Sequence, residues 1–256
     1  MTSLRDVHSI FFENRYTWSM ADLKQLRQAL ADAKSVAVLT GAGLSAASGL
    51  ATFRGAGGLW RSYRAQDLAT PDAYARNPDL VWAWYFERFT QVMAVKPNRA
   101  HVLLAALVTS TRRVTLVTQN VDGLQQRAGS RDVLELHGNL CESRCERCRN
   151  LAPLSLETTL PPTCPVCGNR MRPNVVWFGE RLSEVVLERA AAAFSGADVA
   201  LIIGTSGVVE PAASLGFLAV RSGALVAEIN PEPTPLSAEA SSFLREDAAA
   251  GLELLL

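Results

Sequence analysis

Four cysteines constrain this chain more than any other feature. Cys145, Cys148, Cys164 and Cys167 form C-x2-C-x15-C-x2-C, a spacing that suits one tetrahedral metal site. Each C-x2-C turn presents two thiolates to one side, and two such turns complete a closed shell for zinc. A closed shell leaves no position for substrate, so the metal's expected part is structural. Paired redox motifs are the other use of C-x-x-C, but two pairs at this spacing favour a metal. A fifth cysteine, Cys141, stands outside the pattern and is expected to be a small buried hydrophobe.

At 256 residues and 48% hydrophobic content, the chain can bury a sizeable core. Its formal net charge is zero, so no global field recruits nucleic acid or an anionic membrane. The N-terminus lacks a cationic segment followed by an apolar run, and no stretch reaches transmembrane length. Five cysteines in a chain this long do not make a secreted disulfide framework. These features together predict a cytoplasmic protein; nothing in them indicates an oligomer. Residues 1–20 lack periodicity and read as an N-terminal arm.

The pattern then alternates. Ser19-Met20-Ala21-Asp22 reads as a capping box for a helix reaching about Lys34. Short apolar strands are expected at Val36–Thr40, Val114–Thr118, Asp198–Ile203 and Ala224–Ile229. Between them, helices start at Asn77-Pro78, near Ala100, at Ser183 and at Pro211. Strands alternating with helices predict an α/β fold with a parallel sheet. Ligands of such sheets bind beyond the carboxyl ends of the strands. The polar groups at Thr40, Gln119, Gly204 and Asn230 all follow strands and should converge on one crevice. The cysteine segment falls between sheet strands and should form a separate lobe.

Two further motifs carry chemistry. Gly41-Ala42-Gly43-Leu44-Ser45-Ala46 follows a strand and fits G-x-G-x-x-G/A, in which glycines let the backbone approach a pyrophosphate. The acidic residue that a dehydrogenase carries about 20 residues on is replaced here by Arg61. His137, in Leu136-His137-Gly138, sits at a strand end, where a near-neutral imidazole suits proton removal from a hydroxyl.

Taken in order, Gly41-Ala42-Gly43-Leu44-Ser45, Ser48-Gly49, Phe53-Arg54, Thr118-Gln119-Asn120-Val121-Asp122, Leu136-His137-Gly138, the four cysteines, Phe178-Gly179-Glu180, Gly204-Thr205-Ser206 and Pro211-Ala212-Ala213 resemble the sirtuins, the NAD-dependent protein deacylases. The resemblance runs from about Ala21 to the C-terminus. It implies a Rossmann-type parallel-sheet large domain (about 21–45, 112–140 and 173–256) with a small domain made of a helical part (about 46–111) and a zinc module (about 141–172). It also implies that NAD and an acyl-lysine protein or peptide meet in the cleft between them. The acyl oxygen attacks the nicotinamide ribose carbon, and nicotinamide leaves. His137 then takes a ribose hydroxyl proton, and the products are free lysine and O-acyl-ADP-ribose.

By the same resemblance, Asn120 is catalytic beside His137, and NAD contacts fall on Gly41, Ala42, Gly43, Ser45, Ala46, Thr52, Phe53, Arg54, Trp60, Gln119, Asn120, Val121 and Asp122. The adenosine end falls on Gly204, Thr205, Ser206, Asn230, Pro231, Glu232 and Ala248. Val175, Val176, Trp177 and Phe178 resemble the strand that pairs with the substrate backbone. Tyr85 and Arg88, three apart on a helix, share one face and match the Tyr-x-x-Arg signature of class III sirtuins. A phenol and a guanidinium together bind a carboxylate. The implied acyl groups are succinyl, malonyl and acetyl. Three positions depart from the family pattern: Gln125, Asn174 and Glu210, the last bearing on preference for acidic acyl groups. The same NAD-cleaving site could instead transfer ADP-ribose to protein, or the chain could be a non-catalytic NAD sensor. Tyr85 with Arg88 argues against the first, and intact His137, Asn120 and Asp122 against the second.

Overall fold

The computed structural model describes residues 20–52, 64–108 and 111–256. The arm, Ser19, Phe53, Arg54, Trp60 and Arg61 lie outside them. Helix α1 (Met20–Asp32) leads into β1 (Ser35–Thr40) and the single-turn α2 (Gly43–Ala46). Then come α3 (Ala65–Leu68), α4 (Pro71–Arg76), α5 (Pro78–Ala94) and α6 (Arg99–Ala106). They are followed by β2 (Arg113–Thr118), α7 (Leu124–Arg127), β3 (Leu134–Glu135), β4 (Gly138–Cys145), β5 (Leu151–Pro153) and β6 (Met171–Val175). The chain ends with α8 (Glu184–Ser195), β7 (Val199–Ile203), α9 (Ser214–Arg221), β8 (Leu225–Ile229), β9 (Ser242–Leu244) and α10 (Ala248–Leu255). No helix among the described residues is long and apolar enough to cross a membrane.

Six strands form one sheet in the order β3-β2-β1-β7-β8-β9, with every pairing parallel. The chain winds outward from β1 in one direction and from β7 in the other. The boundary between β1 and β7 is therefore the point where strand order reverses, and a crevice opens beyond their carboxyl ends. Alternation along β1 builds both cores. Val36 and Val38 pack with Leu23, Leu26, Leu104 and Leu252 on one face. Ala37 and Leu39 pack with Phe194, Leu215 and Val226 on the other. Such burial on both faces is why these strands read as continuous apolar runs.

The helix starts follow local chemistry. The Asn77 side chain accepts the Leu80 N–H at 3.1 Å, and Pro78 occupies the first turn of α5. Asn98 and His101 form a reciprocal capping box on α6. The expected start at Pro211 is corrected: regular α9 begins at Ser214, whose N–H and hydroxyl both donate to Glu210 Oε2. Pro211 to Ala213 form the turn that precedes it.

A second sheet, β5-β4-β6, is antiparallel. It carries the cysteines and lies against α4 and α5. Tyr74 Oη and Trp82 Nε1 both donate to the Met171 carbonyl, at 2.7 and 3.0 Å. A third apolar cluster, with Tyr74, Trp82, Trp84, Tyr85, Phe89, Val175 and Trp177, joins those helices to the sheet. Part of this sheet shares that apolar layer with the helical segment, while the cysteines pack in a small cluster of their own.

Candidate active site

The loops after β1 and β7 are pressed together. The Gly41 N–H donates to the Ile203 carbonyl at 2.9 Å, and the Gly43 N–H to the Gly204 carbonyl at 2.8 Å. A Cβ on Gly41 would meet Gly204 O at 2.7 Å, and one on Gly43 would meet Gly204 Cα at 2.7 Å. Backbone cannot yield there, so the glycines are required by close approach.

Beyond β2 the chain turns into the same crevice. Gln119 Nε2 donates to Thr205 Oγ1 at 2.8 Å. Buried Asn120 donates from Nδ2 to the Gly41 carbonyl at 3.0 Å and to Ser45 Oγ at 3.2 Å. Ser45 Oγ in turn donates to Asp122 Oδ2 at 2.7 Å. Asp122 Oδ1 accepts the Leu124 N–H at 2.9 Å, which fixes the carboxylate. Gln125, one of the departures, is buried and donates to Thr40 Oγ1 at 3.2 Å, so it serves the strand end.

His101 belongs to this network, a role that its sequence context does not reveal. Its Nδ1 accepts the Asn98 N–H at 3.2 Å, so the ring proton sits on Nε2, 3.4 Å from Ser45 Oγ. Burial lowers its basicity, and the nearby Asp122 partly restores it. The Asn98-x-x-His101 capping pattern was the available signal, and it marks the helix start without naming Ser45 as the far partner.

His137 follows β3, with Nδ1 2.9 Å from the Gln119 carbonyl. A carbonyl only accepts, so Nδ1 carries the proton and Nε2 keeps its lone pair. Burial holds the imidazole pKa below its ordinary 6.5, partly opposed by that carbonyl bond. The ring is therefore neutral at pH 7, as a general base must be.

A cavity of about 70 Å³ joins this network to α5, with room for several water-sized atoms. Ser45, Asn120 and Asp122 line it together with Trp84, Tyr85 and Arg88 of α5. The Arg88 guanidinium lies over the Trp84 ring at 4.7 Å. Its Nη1 is 3.0 Å from the exposed Glu87 carboxylate. Nevertheless Arg88 Nε and Nη1 are buried with no aligned hydrogen-bond partner among the described residues.

The other expected residues are distributed as follows. Asn230 Nδ2 donates to the carbonyls of Thr205 and Glu232, at 3.1 and 2.9 Å, tying the turn after β8 to the loop after β7. Ser206 and Pro231 are exposed beside it, and Ala248 is buried in the first turn of α10. Buried Glu228 supports that turn by accepting from Thr234 and Ser237 hydroxyls. Ala42 lines the cavity, Ala46 is exposed, and Thr52 is half-buried at the edge of the described residues. The regular strand expected over Val175 to Phe178 ends at Val175. Val176 N–H donates to the His137 carbonyl at 2.8 Å. Trp177 turns inward at 3% exposure, and Phe178 outward at 44%. The Trp177 side chain therefore faces the core.

The four cysteine sulfurs lie within 4.8 Å of one another, with Cys145–Cys167 and Cys148–Cys164 at 3.5 Å. Zinc–sulfur bonds of ~2.3 Å in a tetrahedron set sulfurs about 3.8 Å apart. The cluster fits one zinc ion, held by four thiolates away from the cavity. Asn174, another departure, donates to Glu142 at 2.9 Å.

The Sir2 family profile matches residues 41–211. An NAD-dependent protein deacylase of Thermus thermophilus is 54% identical over 244 residues, 93% of this chain and 95% of that one. A protein of the same description from Deinococcus radiodurans is 54% identical over 246 residues, 92% of this chain and 98% of that one. A solved Sir2 homologue–NAD complex superposes with a TM-score of 0.86 at 44% identity, covering 94% of each chain. A Sir2–p53 peptide–NAD+ complex superposes at 0.79 with 34% identity, covering 90% of this chain and 95% of that one.

Proposed function

The chain belongs to the Sir2 family, and on that premise we propose that it removes succinyl and malonyl groups from protein lysine, and acetyl groups as well. It is an NAD-dependent protein deacylase. The four cysteines hold a structural zinc. Thiolate ligation of this kind fits a reducing, cytoplasmic setting.

The observation that carries the acyl preference is the shared cavity. Tyr85 and Arg88 of α5 line the same cavity as Ser45, Asn120 and Asp122. Buried guanidinium N–H groups without partners are costly, and a carboxylate supplies partners in matching geometry. An acyl chain ending in a carboxylate satisfies Arg88 while its carbonyl end stays near Asn120. In this reading His137 Nε2 accepts the ribose hydroxyl proton. Asn120, Ser45 and Asp122 orient the ribose and the nicotinamide amide. Glu210 accepts from the Ser214 hydroxyl and is not among the residues that line the acyl cavity.

Matched acetyl- and succinyl-lysine peptides, incubated with and without NAD and followed by mass spectrometry, test the reading. NAD-dependent loss of succinyl with formation of O-succinyl-ADP-ribose is expected. Conversion of acetyl alone would reject the acyl preference. Nicotinamide release without peptide conversion would favour ADP-ribosyl transfer. For Arg88→Met, the succinyl-to-acetyl ratio of kcat/KM should fall about 10- to 150-fold, the worth of a charge-assisted hydrogen bond. An unchanged ratio would remove Arg88 from acyl recognition.

A further inference from the structure

The indole of Trp177 is held on three sides. The Arg172 guanidinium covers its ring at 3.4 Å. The same guanidinium donates to both oxygens of Glu180, at 2.5 and 2.9 Å, and to the Val175 carbonyl at 2.9 Å. Glu180 Oε2 also accepts the Trp177 backbone N–H at 2.9 Å. Tyr74 packs at 5.2 Å between ring centroids. With its plane and backbone fixed, the indole N–H has one direction, and it donates to Tyr85 Oη at 3.0 Å.

That bond decides what Tyr85 can do. A phenol has one proton and two lone pairs, and an indole only donates. Tyr85 Oη is therefore the acceptor toward Trp177, and its own proton must point elsewhere. No hydrogen bond from Tyr85 Oη to a described residue takes it up, and Tyr85 lines the cavity beside Arg88. Burial keeps the phenol protonated, so the donor persists at neutral pH. Without the indole N–H, the hydroxyl could rotate and offer a lone pair instead, which repels a carboxylate.

We propose that Trp177 is a positioning residue for acyl selectivity, whose indole N–H orients the Tyr85 hydroxyl to donate to the carboxylate of an acidic acyl-lysine. This rests on the acyl preference argued above.

The test is a cycle of Trp177→Phe, Tyr85→Phe and the double variant, read as the succinyl-to-acetyl ratio of kcat/KM. Phenylalanine keeps an aromatic face for Arg172 and loses the donor together with one ring of the indole. Each single variant should lower the ratio several-fold, mainly through KM for the succinyl peptide. The double variant should match Tyr85→Phe alone, because the indole acts through the phenol. A general packing defect would instead depress both substrates and the melting temperature together, leaving the ratio unchanged. If Tyr85→Phe lowers the ratio and Trp177→Phe does not, the inference falls and the acyl reading stands. If the two losses add in the double variant, the inference also falls. If Tyr85→Phe leaves the ratio unchanged, the inference falls and any acyl preference is left to Arg88. Should Trp177→Phe not fold, benzothienylalanine at position 177, which places sulfur where the N–H was at nearly the same shape, gives the same readout.

Discussion

Replacing His137 with alanine should lower NAD-dependent deacylation by about 100- to 10,000-fold, the usual worth of a general base, while NAD still binds. The reason is the tautomer. Nδ1 is committed to the Gln119 carbonyl at 2.9 Å, so all the basicity of the ring resides on Nε2. Alanine removes that lone pair and leaves untouched the interlocked Gly41, Gly43 and Gly204 loops that shape the crevice. The wild-type pH profile follows from the direction of the shift. Burial holds the folded pKa below 6.5, and only the neutral ring is active. Activity should therefore be flat near pH 7 and fall on an acid limb whose midpoint lies below 6.5, provided the fold persists. The same group affects stability. The unfolded chain binds a proton near pH 6.5 and the folded chain only at lower pH. Stability contributed at this site is thus intact above 6.5 and is lost as pH falls from 6.5 toward the folded pKa. Steady-state rates from about pH 5 to 8, with NAD binding by calorimetry, check both points. Near-normal turnover by His137→Ala would remove it as the base.

The parallel sheet and its crevice are legible in the sequence because strands buried on both faces leave unbroken apolar runs that end in polar turns. Gly41, Gln119, Gly204 and Asn230 meet there for that reason alone. The metal site is legible because its ligands are paired locally, so spacing substitutes for geometry. His101 and Trp177 are different. Each acts through a partner 56 or 92 residues away, Ser45 and Tyr85 respectively. No periodicity links such positions. His101 reads as a helix start and is one, but the same ring spans from its cap to Ser45. Trp177 lies in a run whose extended reading would alternate faces. The strand stops at Val175, and Glu180 pulls the following backbone inward by accepting the Trp177 N–H. An ion pair with Arg172 therefore decides which way the indole faces, and that pair is set by folding of the small sheet.

The small sheet in turn depends on its metal. Chelation, or Cys164→Ser, should unfold the cysteine lobe and abolish deacylation, and the native protein should carry one zinc per chain. The apolar cluster around the cysteines contains only Cys145, Cys164 and Met171 as buried members, with Ala152 and Cys167 beside them. Leu140 and Val175 tie β4 and β6 into the third apolar cluster, but so few side chains cannot hold the cysteine turns in place by burial, at ~1.5–3 kcal/mol for a large one. Zinc bound by four thiolates contributes on the order of 10 kcal/mol, comparable with the whole stability of a typical domain. The damage would not stay local. Met171 receives hydrogen bonds from Tyr74 and Trp82, and Arg172 on the same strand anchors Trp177 beside the acyl cavity. Loss of β6 should therefore disorder the Tyr85 and Arg88 wall, whereas the parallel sheet keeps its own two cores. Thermal melting with metal analysis, and limited proteolysis aimed at exposed Leu156 and Val166, separate the two regions. Cleavage confined to the cysteine lobe, with the parallel sheet still protected, is the expected pattern. Full activity and an unchanged melting temperature in protein stripped of zinc would show that β4, β5 and β6 hold together without the metal.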